Sequence, residues 1–183
     1  MKNVLVLILL AFFLVCPLKT YAAKEDTSFN ARLELVKNVN IIEDIKEEFG
    51  KTLPSYIYYS PENKQYVYKI PEVEYFAAMH ALSIIETAGE AIFGAVHMYA
   101  LQTTQTSTPP KARGIIVYFY EHAISVVGNS QDKLTVYLNN KGINDPQLKA
   151  LVTKATNVLL QSKYVLQQIQ TDIKKQPYIY PKE

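Results

Sequence analysis

Three side chains near the middle of the chain have the types and spacing for metal or acid–base chemistry. Glu86, Glu90 and His97 are four and then seven residues apart, and at about 100° per residue they fall within roughly 40° of one another on a helix. Two carboxylates and an imidazole on one stripe can ligand a transition metal, or divide the roles of general acid and general base. The competing reading is that they form the one solvated stripe of an otherwise apolar helix. The Glu-x-x-His pairs of di-iron bundles are absent. His80 borders the same stripe, while His122 sits among apolar residues. Each reads more simply as a half-buried, hydrogen-bonded side chain than as a ligand. Glu121 and His122 are adjacent, so their side chains point about 100° apart. Only if the polar stripes of the two helices face each other do Glu86, Glu90, His97, Glu121 and His122 converge.

Nothing else in the chain supports catalysis. Gly128-Asn129-Ser130-Gln131-Asp132 lacks the second glycine of a nucleophile elbow. Gly89 and Gly94 lie inside a helical pattern with no strand before them, so they make no phosphate-cradling loop. The single cysteine, Cys16, lies in the N-terminal apolar segment. The chain read after that segment therefore has no thiolate nucleophile, no disulfide and no cysteine-ligated metal. No cofactor is implied.

Tyrosine is the feature that composition does not explain. Of 14 tyrosines, Tyr56, Tyr58, Tyr59, Tyr66, Tyr68 and Tyr75 crowd into the stretch 56–75, and tryptophan is absent. Tyrosine offers a large contact area at little rotamer entropy, which suits recognition surfaces. It is also an ordinary strand former, so the same cluster can be plain cover for a small sheet. The candidate binding surface is Tyr56, Tyr58, Tyr59, Tyr66 and Tyr68.

The elements that must position these groups are mostly helical. Leu35, Val39, Ile42, Ile45 and Phe49 recur at spacings of three and four after Thr27 and Ser28 and stop at Gly50, as an amphipathic helix does. Between Pro54 and Pro71, two aromatic and β-branched runs flank Ser60-Pro61-Glu62-Asn63-Lys64, which predicts a β-hairpin at about 55–70. Pro71, Glu72 and Glu74 open a long, alanine-rich helix running to about Leu101. A Thr- and Pro-rich loop follows at 103–110. Gly114 to Val127 reads as helix, with Gly128-Asn129 as its stop. Residues 131–141 alternate like a strand at Leu134, Val136 and Leu138, yet their flanks suggest a short helix. Asp145-Pro146 caps the clearest helix, with Leu148, Val152, Ala155, Leu159, Ser162, Leu166, Ile169 and Ile173 as its apolar face and Lys154, Gln161, Gln168 and Lys175 as its wet one. An extended tail occupies 176–183, where Tyr178-Ile179-Tyr180 between two prolines can serve at most as an edge strand beside the hairpin.

The first residues read as an export signal. After Met1 and Lys2, Val4 to Val15 carries no charged side chain, and Thr20-Tyr21-Ala22 offers a peptidase site, so residues 1–22 are expected to be removed and 23–183 to form a single domain. The apolar run is shorter than the roughly 20 residues of a membrane span. Cys16 leaves open a lipid anchor, although bulky Val15 and Pro17 flank it. Removal of Lys2 and Lys19 from 19 basic residues leaves 17, matching the 17 acidic ones. A neutral chain lacks the basic excess that nucleic acid or an anionic membrane would demand. With no disulfide and no Asn-x-Ser/Thr sequon, the compartment that fits is a bacterial periplasm or the space outside it.

The sequence thus predicts a mainly α protein: an antiparallel helical bundle of three long and one or two shorter helices, with an inserted tyrosine-rich β-hairpin. The function it favours is that of an exported, non-catalytic interaction module binding an envelope or secreted protein or an extended ligand, in the manner of an inhibitor, an immunity protein or an assembly factor. The alternative is a metal- or cofactor-dependent bundle using Glu86, Glu90 and His97. A second alternative is a structural envelope protein anchored through Cys16.

Overall fold

A computed structural model describes residues 27–103, 110–140 and 142–175. The expected signal segment with Cys16, most of the Thr- and Pro-rich loop and the tail at 176–183 lie outside the described residues.

The described residues form four helices and one hairpin: α1 (Thr27–Thr52), a 3₁₀ turn (Leu53–Tyr56), β1 (Ile57–Ser60), β2 (Gln65–Tyr68), α2 (Glu72–Thr103), α3 (Pro110–Asn139) and α4 (Pro146–Lys175). The fold is the expected mainly α bundle with a small antiparallel hairpin inserted after the first helix. Cross-links between helices give the topology. Asn38 and Gln161 of α1 and α4 meet Ser162 and Glu34 near one end, and Thr52 meets Gln147 near the other. Those two helices are therefore antiparallel. His80 of α2 touches Tyr137 of α3, and Lys174 of α4 reaches Glu121 of α3, so each successive helix reverses direction. The ends that gather together are the C-termini of α1 and α3 and the N-termini of α2 and α4. The hairpin sits at that end.

The core follows the apolar spacing. Leu35, Ile42, Ile45 and Phe49 of α1 are fully buried, with Val39 half-buried. All eight positions read as the apolar face of α4 are buried, and its four wet-face residues are exposed. One polar pair lies within this core: Asn38 Nδ2 donates to Ser162 Oγ at 3.1 Å, and that hydroxyl donates to the Val158 carbonyl at 2.8 Å. A buried polar pair that is satisfied fixes the register of α1 on α4, because sliding either helix would strand both groups.

Two expectations about the third helix are corrected. Gly128-Asn129 does not stop it, and the region 131–141 is not a separate short helix, since α3 is continuous to Asn139. Gly128 is buried, and a methyl group at its Cα would lie 3.1 Å from Lys163 Nζ. The glycine serves close approach of α4 rather than termination. In the same way α1 passes through Gly50 to Thr52.

Helix α2 is apolar around most of its circumference. Within its stretch Glu72–Met98 an 18-residue window has the mean hydropathy, 1.2, of a membrane-crossing helix, with 39% of that window buried inside the protein. Ala78, Ala81, Ile85, Ala88 and Ile92 carry the buried side, and small residues there let neighbours approach closely. Ile42 fills the space beside Gly89, where an added methyl would meet its Cγ2 at 2.9 Å.

Candidate functional site

The hairpin starts from its turn. Ser60-Pro61-Glu62-Asn63-Lys64-Gln65 reverses the chain with Lys64 at φ 51°, the left-handed conformation that closes such a turn. Tyr59 then faces Tyr66, and Ile57 faces Tyr68, while Tyr58 faces Val67. Directly opposed residues share a face, so Ile57, Tyr59, Tyr66 and Tyr68 line one side and Tyr58 and Val67 the other.

The base of the hairpin is fastened and its far end is not. Tyr68 packs on Tyr75 at 5.1 Å and Phe76 at 6.1 Å between ring centroids, tying β2 to the first turns of α2. Tyr56, just before β1, is half-buried and donates its hydroxyl to Asp145 Oδ1 at 2.8 Å. Its pKa is pushed up to about 12, first by desolvation and then by the hydrogen bond and charge of Asp145. Asp145 Oδ1 also accepts the N–H groups of Gln147 and Leu148 at 3.0 Å each, capping α4. Glu74, only 5% exposed, completes the clamp by accepting the N–H groups of Asn144, at 2.6 Å, and of Asp145. Helix α2, the start of α4 and the hairpin base are thus one hydrogen-bonded unit.

Beyond the base, both faces are open. Tyr58 is 50% exposed, Tyr59 53% and Tyr66 65%, with Tyr59 and Tyr66 edge to face at 5.5 Å. Phe76 and Val73 of α2 continue the exposed apolar surface. Of the five tyrosines singled out from the sequence, Tyr56 and Tyr68 are anchors, and Tyr58, Tyr59 and Tyr66 form the free surface. One face of the hairpin was expected to pack on the helices. That packing extends only as far as Tyr68, because the strands leave the end of the bundle and have no helix beneath their outer half.

The carboxylate–imidazole stripe is solvated. Glu86, Glu90 and His97 are all exposed, and His97 stacks on Phe93 at 6.3 Å. Among the described residues no group of three or more His, Cys, Asp and Glu side chains is placed to hold a metal ion. Glu121 pairs with Lys174 at 3.0 Å, and His122 is exposed. His80 is exposed as well, and its Nδ1 lies 2.5 Å from the Tyr137 hydroxyl.

Other polar features belong to packing or to the solvated surface. The Tyr120 hydroxyl is fully buried with no hydrogen-bond partner among the described residues, and burial raises its pKa despite the opposing charge of Arg32. A shallow depression on α1 is lined by Asp44, Glu47, Glu48 and Lys51, where the Glu47 carboxylate holds Lys51 at 2.9 Å and raises its pKa. Comparison of the chain with protein-family models, curated proteins and solved structures gives no match.

Proposed function

We propose that this protein is an exported, non-catalytic interaction module that engages an envelope or secreted protein through the outer half of its hairpin. The observation that carries the reading is the exposure of Tyr58, Tyr59 and Tyr66 on strands that leave the bundle. Tyr59 and Tyr66 pair edge to face on one side of the hairpin and Tyr58 stands on the other, and exposed apolar groups clustered in this way favour an interaction site. The support beneath them fits that role: Tyr56, Asp145 and Glu74 hold the base, so the exposed rings are presented from a rigid platform. Preorganised aromatic anchors lose little entropy on binding. Export is part of the proposal and rests on the apolar segment from Val4 to Val15 and the Thr20-Tyr21-Ala22 site.

The test is purification of the protein from its native host with protein and metal analysis of the same sample. A stoichiometric protein partner and an N-terminus at Ala23 are the expected results. A tightly bound transition metal without a partner supports the carboxylate–imidazole alternative, and an acylated Cys16 supports the anchored one.

A further inference from the structure

The backbone of the hairpin says how the partner is held. In an antiparallel pair, opposed residues alternate between those that bond each other and those whose N–H and C=O groups point outward. The Lys69 N–H donates to the Tyr56 carbonyl at 2.8 Å, which makes Tyr56 and Lys69 a bonded pair in the same register as the strands. Counting inward, Ile57 and Tyr68 point their backbone groups outward, Tyr58 and Val67 bond, and Tyr59 and Tyr66 point outward again. Among the described residues no third strand covers either edge, and the outward N–H and C=O groups of Tyr66 and Tyr68 have no hydrogen-bond partner. Exposed edges are normally blunted by proline, bulges or charges within the strand. Here β2, Gln-Tyr-Val-Tyr, has none of these within it, and its protection is limited to its shortness, four residues, and its flanking lysines.

We infer that the β2 edge takes up an extended polypeptide segment of the partner as a third strand, with acidic side chains at both ends of that segment. The inference rests on the proposed binding role of the hairpin and specifies its mode. The main-chain groups of Tyr66 and Tyr68 supply the ladder, and alternate side chains of the incoming segment lie beside the exposed Tyr66 ring. Acidic ends follow from charge complementarity. Lys64 and Lys69 bracket β2, both are exposed, and neither has an ionic partner among the described residues. A strand laid along β2 passes both ammonium groups, and opposite charges across a ladder favour pairing.

The occupant is not the chain's own tail. Lys175 ends α4 at the far end of the bundle from the hairpin, and 30 helical residues span about 45 Å. Tyr180 lies five residues beyond Lys175, a reach of about 18 Å at most. A tail from a second copy is disfavoured by charge, since Lys175 and Lys182 against the single acid Glu183 bring net positive charge to an edge already bracketed by lysines.

The test selects binders to the full chain from a displayed library of random twelve-residue peptides. The expected peptides alternate β-branched and aromatic residues between acidic ends. Bound peptide should slow amide exchange at the Tyr66 and Tyr68 N–H groups by at least about tenfold and leave Ile57 and Tyr59 unprotected. Replacing both Lys64 and Lys69 by Glu should weaken binding by at least about fivefold at unchanged melting temperature. Peptides that need Tyr58, Tyr59 or Tyr66 but leave the Tyr66 and Tyr68 amides exchanging freely overturn the strand-addition mode and keep the hairpin as binding surface. Peptides that bind without needing those tyrosines overturn both. If the double lysine variant self-associates through the hairpin, the lysines are guards against edge pairing, and the acidic-partner inference is wrong.

Discussion

The clamp at the hairpin base makes a quantitative prediction. Asp145→Ala removes one carboxylate oxygen that three donors share, the Tyr56 hydroxyl at 2.8 Å and the Gln147 and Leu148 N–H groups at 3.0 Å each. Loss of the helix cap costs about 0.5–2 kcal/mol. Loss of a charge-assisted hydrogen bond to a half-buried phenol adds about 1.5 kcal/mol. The expected total is about 2–3.5 kcal/mol, a fall in melting temperature of roughly 4–14 °C for a domain of this size. Asp145→Asn retains a good capping oxygen and should cost less than about 1 kcal/mol. Urea unfolding at neutral pH of the parent, Asp145→Ala, Tyr56→Phe and the double variant gives the coupling between the two side chains. The clamp requires at least about 0.5 kcal/mol of non-additivity. If the two substitutions are additive, or Asp145→Ala costs under about 0.5 kcal/mol, the hairpin base is not held as described.

Three further outcomes follow from the same structure. Tyr56 has its folded pKa raised to about 12 from 10.0, so its contribution is complete below pH 10 and is lost as the pH rises towards 12. The difference in unfolding free energy between the parent and Tyr56→Phe should therefore shrink over that interval, and a constant difference contradicts the assignment. Gly128→Ala should raise the melting temperature, because only the flexible end of Lys163 has to move and alanine favours helix. Gly89→Ala should lower it, because the methyl meets the buried Ile42 at 2.9 Å, and calorimetry of both variants tests the contrast. Glu86→Gln, Glu90→Gln and His97→Ala, made singly, should each change stability by less than about 1 kcal/mol. A melting shift that appears only on adding a divalent metal, and vanishes in these variants, contradicts the solvated reading.

The helices were legible where one face carries the signal. In α4 the cap at Asp145-Pro146 and the spacing from Leu148 to Ile173 identify both the start of the helix and its buried side. The hairpin was legible from Tyr, Ile and Val runs around a Pro/Asn turn, whereas its register, Tyr59 opposite Tyr66 and Ser60 opposite Gln65, comes from the structure. What escaped the sequence depends on contacts between distant residues. Gly128 looks like a stop until Lys163 is seen against it. Glu74 reads as an acid favouring a helix N-terminus, and nothing local reveals that it also binds the backbone of Asn144 and Asp145. Tyr56 is indistinguishable by type from Tyr58, yet the Asp145 carboxylate makes it an anchor. Of the candidate surface in the sequence, Tyr58, Tyr59 and Tyr66 are exposed, while Tyr56 is hydrogen-bonded and Tyr68 is packed at the base.

The proposed role of the outer tyrosines is to serve a partner and not the fold. Its most direct measurement replaces Tyr58, Tyr59 and Tyr66 together by Ser and reads melting temperature and capture of the native-host partner on the same samples. All three side chains are at least half exposed, so the melting temperature should fall by no more than a few degrees, while loss of central aromatic anchors, each worth about 2 kcal/mol or more at an interface, should abolish capture. A variant that still captures the partner at the parent's affinity, or one that unfolds together with losing it, contradicts the account.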